Sequence, residues 1–179
     1  MPFLSDLPAP ARLADLLRQF PDHAKPLLNY VESLMRGPGE IAVRDREVIA
    51  AYVSGLNACQ FCYGSHRLFA EAFGMNEGVL AQMVADLEAV DLPSNLKALL
   101  GYVRKLNTLP SRMVQKDIDT VLAAGWSEQA VAEAAQICGL FNTMNRIIEG
   151  TGIDFDYETA PDAQGLLGLA KGADNHHYI

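Results

Sequence analysis

The sequence of 179 residues contains no apolar run long enough to cross a bilayer, so we expect no membrane-spanning segment. It also lacks a basic surplus, because 14 lysine and arginine residues face 22 aspartate and glutamate residues and leave a net charge of −8. Nucleic-acid binding requires a positive surface, so we expect no nucleic-acid partner either. No phosphate-binding loop, dinucleotide fingerprint or sustained strand alternation is visible.

Cysteine is scarce as well. The chain has three, and an odd number does not fit the disulfide framework of a small secreted protein. The N-terminus shows no basic segment followed by an apolar stretch, so no secretory signal is visible and we expect a cytoplasmic protein. In a reducing compartment, neighbouring cysteines cycle between thiol and disulfide rather than forming a permanent crosslink.

Apolar residues at helical spacing are abundant. Half of the residues are hydrophobic and a fifth are charged, as in an ordinary globular protein. The periodicity predicts an all-α bundle of about eight helices. The length fits one domain, residues 1–179, with its core at about 20–155. An N-terminal arm precedes this core, and a tail that we expect to wrap the surface or a partner follows it. The tail ends with His176 and His177, which are too weak a signal to predict a metal site.

Four residues stand out by their chemistry and spacing: Glu47, Cys59, Cys62 and His66. If residues 59–73 are helical, steps of three, four and seven residues place the cysteines and the histidine on one face. The first turn of a helix favours a thiolate, and a neighbouring imidazole can accept the thiol proton. Glu47 falls on a preceding helix, from which a carboxylate can orient the imidazole. The chemistry that these residue types favour is thiol-based redox.

The spacing Glu-x11-Cys-x-x-Cys-x-x-x-His resembles that of the AhpD-like alkylhydroperoxidases, within the carboxymuconolactone decarboxylase superfamily. Residues 54–57, 69–74 and 141–146 are similar to the branch called peroxidase-related. The resemblance implies an all-helical fold, self-association as a dimer, trimer or hexamer, and antioxidant reduction of alkyl hydroperoxides. It also implies an external thiol or dithiol donor, lipoyl or thioredoxin-like, and no bound cofactor. The decarboxylase branch lacks the paired cysteines, which argues against that activity here.

Carried over by position, the resemblance implies that Cys62 attacks the peroxide and becomes a sulfenic acid. Cys59 is then the proton donor and resolving thiol, and His66 with Glu47 forms the proton relay. A helix-dipole argument alone instead favours Cys59, the N-terminal cysteine, as the more acidic thiol. Some family members carry a second histidine between the cysteines, where this chain has Phe61. An apolar neighbour there could raise a thiol pKa or shield the site.

Other interpretations use the same residues. A protein disulfide reductase or redox relay of this fold would act without significant peroxidase turnover, and a redox sensor would change its assembly on oxidation. A zinc site is a further alternative, although it requires a fourth ligand and Cys138 is the only other cysteine. We expect Cys138 to be inert packing. For Asn142, Asn145 and Arg146 we favour structural roles over a place in the site.

Overall fold

The computed structural model describes residues 1–154, and the C-terminal tail with its two terminal histidines lies outside the described residues. Within that range the chain forms eight α-helices and no β-strand, which confirms the predicted all-α bundle. The helices are α1 (Leu13–Gln19), α2 (Ala24–Arg36), α3 (Val43–Leu56), α4 (Gln60–Ala72), α5 (Val79–Ala85), α6 (Ser94–Thr108), α7 (Gln115–Ala123) and α8 (Glu128–Thr151). No helix in this part of the chain is both long and apolar enough to cross a membrane.

Helix α3 is the centre of the bundle. Ten consecutive residues, 45–54, are buried, and the helix packs against α4, α8, α5 and α6. A helix enclosed in this way can carry charged residues only if each has a partner, because an isolated buried charge is strongly destabilising. Three charged residues occur in the buried stretch, Asp45, Arg46 and Glu47, and each lies in an ion pair.

The turn between α2 and α3 is fixed by one of these pairs. Arg46 Nε lies 2.8 Å from Glu133 Oε1, which α8 supplies. The same guanidinium donates to the carbonyl oxygens of Leu34, Gly37 and Ile41 at 3.0, 2.7 and 2.7 Å. The Arg46 side chain therefore has a balancing charge in Glu133 and supplies hydrogen bonds to these three carbonyl groups. This contact holds the C-terminal end of α2 against α3 and α8.

The chain turns from α3 into α4 at residues 57–58, where the sequence predicts the break. Ala58 has a φ of 57°, a left-handed conformation that is uncommon for a residue other than glycine. The turn is closed by the N–H of Cys59, which donates to the Ser54 carbonyl at 2.9 Å. Because α4 begins at Gln60, Cys59 is its N-cap and Cys62 its third residue.

The N-terminal arm packs on its own chain. The N–H of Phe3 donates to the carbonyl of Thr151 at 2.9 Å, at the end of α8. Leu7 and Ala11 are buried and belong to the hydrophobic core, together with Leu16 from α1. The core thus begins earlier than the predicted position at about residue 20.

Gly152 ends α8 with a φ of 70° and lies directly against Phe3. An added Cβ would lie 2.8 Å from the phenyl ring, and the left-handed conformation costs a residue with a Cβ about 1–2 kcal/mol. We expect Gly152→Ala to lower the free energy of unfolding by about 1–3 kcal/mol, measured by urea denaturation with circular dichroism.

The matched control is Gly150→Ala, two residues earlier in α8. An added Cβ would meet nothing within 4 Å there, and alanine favours helix more than glycine does. We expect the free energy of unfolding of this variant to rise by about 0.5–1 kcal/mol. Equal losses in the two variants would contradict the close packing of the arm at Gly152.

Candidate active site

The imidazole of His66 is held by the carboxylate of Glu47. His66 Nδ1 lies 2.5 Å from Glu47 Oε2, and the two residues are 8% and 0% exposed. Because the carboxylate is an acceptor, we assign the ring hydrogen to Nδ1. Nε2 is then the nitrogen available for proton transfer, and the carboxylate fixes both the tautomer and the direction of the ring.

Arg36, at the end of α2, binds the other oxygen of the same carboxylate. Its Nη1 lies 2.5 Å from Glu47 Oε1, and the side chain is almost fully buried. The guanidinium also lies 5.6 and 5.7 Å from the ring centroids of Phe69 and Phe73 on the α4 side. The sequence pattern does not indicate Arg36, because a spacing that spans a loop does not define which side chains meet.

Two neighbouring side chains, His66 and Arg36, decide the charge of Glu47. Burial by itself raises the pKa of this carboxyl, but the attraction and hydrogen bonds of His66, and then of Arg36, more than offset that effect. The pKa of Glu47 is therefore lowered, and the group stays an anion at neutral pH. A permanent anion orients the imidazole; it does not itself exchange protons with it.

The two thiols beside this pair are inequivalent. Cys59 and Cys62 are both buried and free, near each other but not bonded. A hydrogen bond from the Cys59 thiol to the Cys62 sulfur lowers the pKa of Cys62 and raises the pKa of Cys59. Burial of Cys62 acts against this shift, whereas the nearby His66 and a hydrogen bond from Asn145 support it.

The pKa of Cys62 is the lowered one, which is the order that the family resemblance implies. Cys59 is the N-cap of α4 and Cys62 its third residue, so both thiols lie near the positive end of the helix dipole. The dipole alone does not distinguish them, and the order in which the two cysteines react stays a prediction. The third cysteine, Cys138, is buried in α8, and burial raises its pKa to about 11.

Asn145 is buried and belongs to a network of asparagine side chains, of which Asn57, Asn107 and Asn142 are partly buried. Its own amide group donates to Ser54 Oγ at 3.0 Å. Four hydrogen bonds join the asparagines: Asn57 to Asn145 at 2.9 Å, Asn57 to Asn142 at 3.4 Å, Asn107 to Asn57 at 2.9 Å and Asn142 to Asn107 at 2.6 Å. These hydrogen bonds agree with the structural role expected for Asn142 and Asn145, and Asn145 in addition favours the lowered pKa of Cys62. Asn142 and Asn145, two polar residues three positions apart on the mostly apolar helix α8, are the sequence signal for this network.

A cavity of about 350 Å³ opens onto Cys62 and His66. The rest of its lining is mostly apolar and comprises Leu13, Leu28, Val31, Phe61, Ser65, Phe69, Phe141 and Met144. Phe141 meets the His66 ring edge-on, with centroids 4.4 Å apart and planes at 80°. Phe61, which stands where some relatives have a histidine, forms part of this wall. The volume lies within the range of small-molecule sites.

Within residues 1–154, no group of three or more histidine, cysteine, aspartate or glutamate side chains is arranged to hold a metal ion.

Residues 21–105, which include all four predicted site residues, match the model of the carboxymuconolactone decarboxylase family. No curated protein sequence matches the chain significantly.

Three solved structures share the fold. An uncharacterised peroxidase-related protein from Ralstonia eutropha, described as an alkylhydroperoxidase AhpD core, has a TM-score of 0.76 at 22% identity and covers 80% of this chain and 76% of its own. An uncharacterised peroxidase-related protein from Silicibacter has a TM-score of 0.76 at 18% identity. The match covers 83% of this chain and 80% of the Silicibacter protein. A protein of unknown function from Agrobacterium tumefaciens, described as a candidate antioxidant defence protein AhpD, has a TM-score of 0.72 at 20% identity and covers 79% and 96%.

The fold and the family match define the class of protein: a helical bundle of the AhpD type. The family match, over a little under half of the chain, and the shared fold both support the AhpD-like resemblance that the Glu-Cys-Cys-His spacing predicts.

The burial of Glu47 generates a pH-dependent prediction for Glu47→Gln. This variant keeps the shape but leaves Arg36 without its carboxylate, so we expect a loss of about 2–4 kcal/mol in the free energy of unfolding at pH 7. Because folding lowers the pKa of Glu47, its contribution is complete above the pKa of an unfolded glutamate and is lost as the pH falls through the folded-state pKa. The difference from wild type should therefore shrink below about pH 4, measured by urea unfolding at several pH values.

The control is Glu88→Gln. The Glu88 side chain is 71% exposed and its Oε1 lies 3.4 Å from Arg104 Nη2, and exposed pairs of this kind contribute only about 0.2–1 kcal/mol. A loss in Glu47→Gln that is no larger than this, or that does not depend on pH, would contradict the account of the buried carboxylate.

Proposed function

We propose that this protein is a thiol-dependent peroxidase that reduces organic hydroperoxides through Cys62 and Cys59. The observation that carries the proposal is the position of the Cys62 sulfur. Cys62 lines an apolar cavity together with His66, whose ring is held by Glu47, and its pKa is lowered. A low-pKa thiol at the wall of a pocket is the arrangement that peroxide reduction requires.

In the first step, the Cys62 thiolate attacks the terminal oxygen of the hydroperoxide. A sulfur–oxygen bond forms, the O–O bond breaks and the electron pair leaves with the alkoxide. His66 in its protonated form gives its proton to that alkoxide, which departs as the alcohol. Glu47 keeps the ring aligned and stabilises its positive charge, and Asn145 and Cys59 hold the sulfur in its reactive state before the attack.

In the second step the sulfenic acid on Cys62 is converted into a disulfide. The Cys59 sulfur displaces the hydroxyl group of the Cys62 sulfenic acid, so that water leaves and a disulfide closes. An external dithiol small enough to enter the cavity, of the lipoyl type, then reduces this disulfide by exchange, whereas the burial of both sulfurs disfavours a thioredoxin-like protein as the donor. The cycle uses no bound cofactor, because the electrons come from the dithiol. Self-association and a cytoplasmic location stay predictions of the family resemblance.

Access to the thiols favours this function over a protein disulfide reductase. Cys59 is 0% and Cys62 3% exposed, so a disulfide on a protein surface cannot reach either sulfur without rearrangement. A small apolar hydroperoxide can use the cavity directly. Burial of its alkyl chain also supplies binding energy, at about 0.8 kcal/mol for each buried methylene group.

The test is steady-state turnover of cumene hydroperoxide with dihydrolipoamide as the electron donor. We expect Cys62→Ser to lose activity by at least about a hundredfold, because a serine hydroxyl is not ionised at neutral pH. We also expect the wild type to have a higher kcat/KM for cumene hydroperoxide than for hydrogen peroxide, since only the former fills the apolar cavity.

The matched control is Cys138→Ser, which removes a thiol of the same size that does not line the cavity. It should keep activity within about twofold of wild type, as expected for a residue outside a functional unit. Wild-type rates in Cys62→Ser, or equal losses in the two serine variants, would reject the assignment.

A further inference from the structure

Asn57, in the connection between α3 and α4, is held by side chains from two other helices. Its Nδ2 donates to Asn145 Oδ1 at 2.9 Å and to Asn142 Oδ1 at 3.4 Å, both on α8. Its Oδ1 accepts a hydrogen bond of 2.9 Å from Asn107 Nδ2, on α6. Both polar ends of the Asn57 amide are therefore engaged, and the connection that precedes Cys59 is tied to α6 and α8.

A second anchor lies in the last turn of α3. Asn145 Nδ2 donates to Ser54 Oγ at 3.0 Å, and the carbonyl of Ser54 accepts the N–H of Cys59 at 2.9 Å. Ser54 thus binds the asparagine network through its side chain and the backbone of Cys59 through its carbonyl. The network reaches the first cysteine by two routes, one through Ser54 and one along the chain from Asn57.

The backbone between these anchors has a conformation that its sequence does not favour. Ala58 has a φ of 57°, and its side chain is exposed, so packing of that side chain does not hold it in the left-handed region. A residue other than glycine keeps such a conformation only where the surrounding structure imposes it. The hydrogen bonds of Asn57 and Ser54, one on each side of the turn, supply that restraint.

The turn sets the position of the Cys59 thiol. Cys59 follows Ala58 directly and has an extended backbone at the N-cap of α4, whereas Cys62 is held by the helix itself. A disulfide requires Cβ atoms about 3.5–4.5 Å apart and a defined torsion about the S–S bond. Rotation within the turn moves Cys59 but not Cys62, so the turn determines how often the two thiols meet in that geometry.

We propose that Asn57 is a positioning residue for the disulfide between Cys59 and Cys62. It holds the turn in the conformation that the disulfide needs while both thiols are still reduced, which raises the effective concentration of one thiol at the other. The inference deepens the proposed function and rests on it in one respect, that these two cysteines form a disulfide. It does not depend on the oxidant or on which cysteine reacts first.

The reduction potential separates this role from a purely structural one. If Asn57 only stabilised the fold, its loss would destabilise the dithiol and disulfide forms equally and leave the potential unchanged. If Asn57 positions Cys59, its loss frees the turn in the dithiol form, whereas the covalent bond still restrains it in the disulfide form. The dithiol form then gains conformational entropy that the disulfide form lacks, so the potential rises and the disulfide is easier to reduce.

The experiment is an equilibrium redox titration against mixtures of lipoamide and dihydrolipoamide, with alkylation and peptide mass spectrometry to measure free Cys59 and Cys62. Each closure gives the two electrons and two protons of the thiols to lipoamide, which becomes its dithiol. We expect Asn57→Ala to lower the equilibrium constant for closure about tenfold, which is a rise of about 30 mV in the potential.

A second substitution tests whether the turn carries the effect. Glycine enters the left-handed region about as readily as the right-handed one, so Ala58→Gly added to Asn57→Ala should restore part of the lost equilibrium constant. If Asn57→Ala does not fold, Asn107→Ala replaces it. That variant keeps the hydrogen bonds from Asn57 to α8 and removes the one from α6, so it should raise the potential by a smaller amount.

The matched control is Ser127→Ala, which removes the N-cap hydrogen bond to Ala130 at the other end of α8. It should lower stability and leave the potential at the wild-type value. An unchanged or lower potential in Asn57→Ala, an equal rise in Ser127→Ala, or no recovery with Ala58→Gly would overturn the proposal.

The same titration distinguishes this proposal from the peroxidase function. If the wild type reduces no hydroperoxide while Asn57→Ala still raises the potential, the peroxidase function falls and the role of Asn57 stands. If hydroperoxides are reduced and the potential does not move, the function stands and the role of Asn57 falls. A wild type that forms no disulfide between Cys59 and Cys62 would overturn both.

Discussion

A carboxylate without access to water governs the arrangement of this site. Glu47 is on α3, and its two oxygens bind Arg36 from α2 and His66 from α4. A buried charge that loses one such partner destabilises a protein by several kcal/mol, so the three helices can pack only with these side chains in register. The rotation of α4 that brings His66 to Glu47 also presents Cys62 to the cavity, since the two residues lie one turn apart.

The asymmetry between the cysteines comes from their neighbours rather than from the helix dipole. The left-handed Ala58 makes Cys59 the N-cap of α4, so both thiols lie at the positive end of the helix, but Cys62, and not Cys59, lines the cavity beside His66. The hydrogen bond between them then works in opposite directions on their pKa values. Two groups of the same chemical type thereby receive different tasks, as paired acids do in many hydrolytic sites.

The sequence predicts those features that depend on local spacing. Apolar periodicity gives the helices, and the steps between Cys59, Cys62 and His66 place these residues near one another, with Glu47 as the partner on the preceding helix. Arg36 is not predictable in this way, because it reaches Glu47 across a loop whose geometry no periodic pattern encodes. The left-handed Ala58 is also hidden, since alanine ordinarily favours helix. The buried arm at Leu7 was missed because its prolines suggest an extended segment rather than a core element.

The central claim is that Cys62 is the sulfur that peroxide oxidises. The most direct measurement is mass spectrometry of Cys59→Ser after one equivalent of cumene hydroperoxide, with dimedone present to trap the sulfenic acid. Without the resolving thiol, the sulfenic acid has no partner in the pair and should be trapped. The account predicts one dimedone adduct, on Cys62, and none on Cys138. An adduct mainly on Cys138, or an unmodified Cys62, would contradict it.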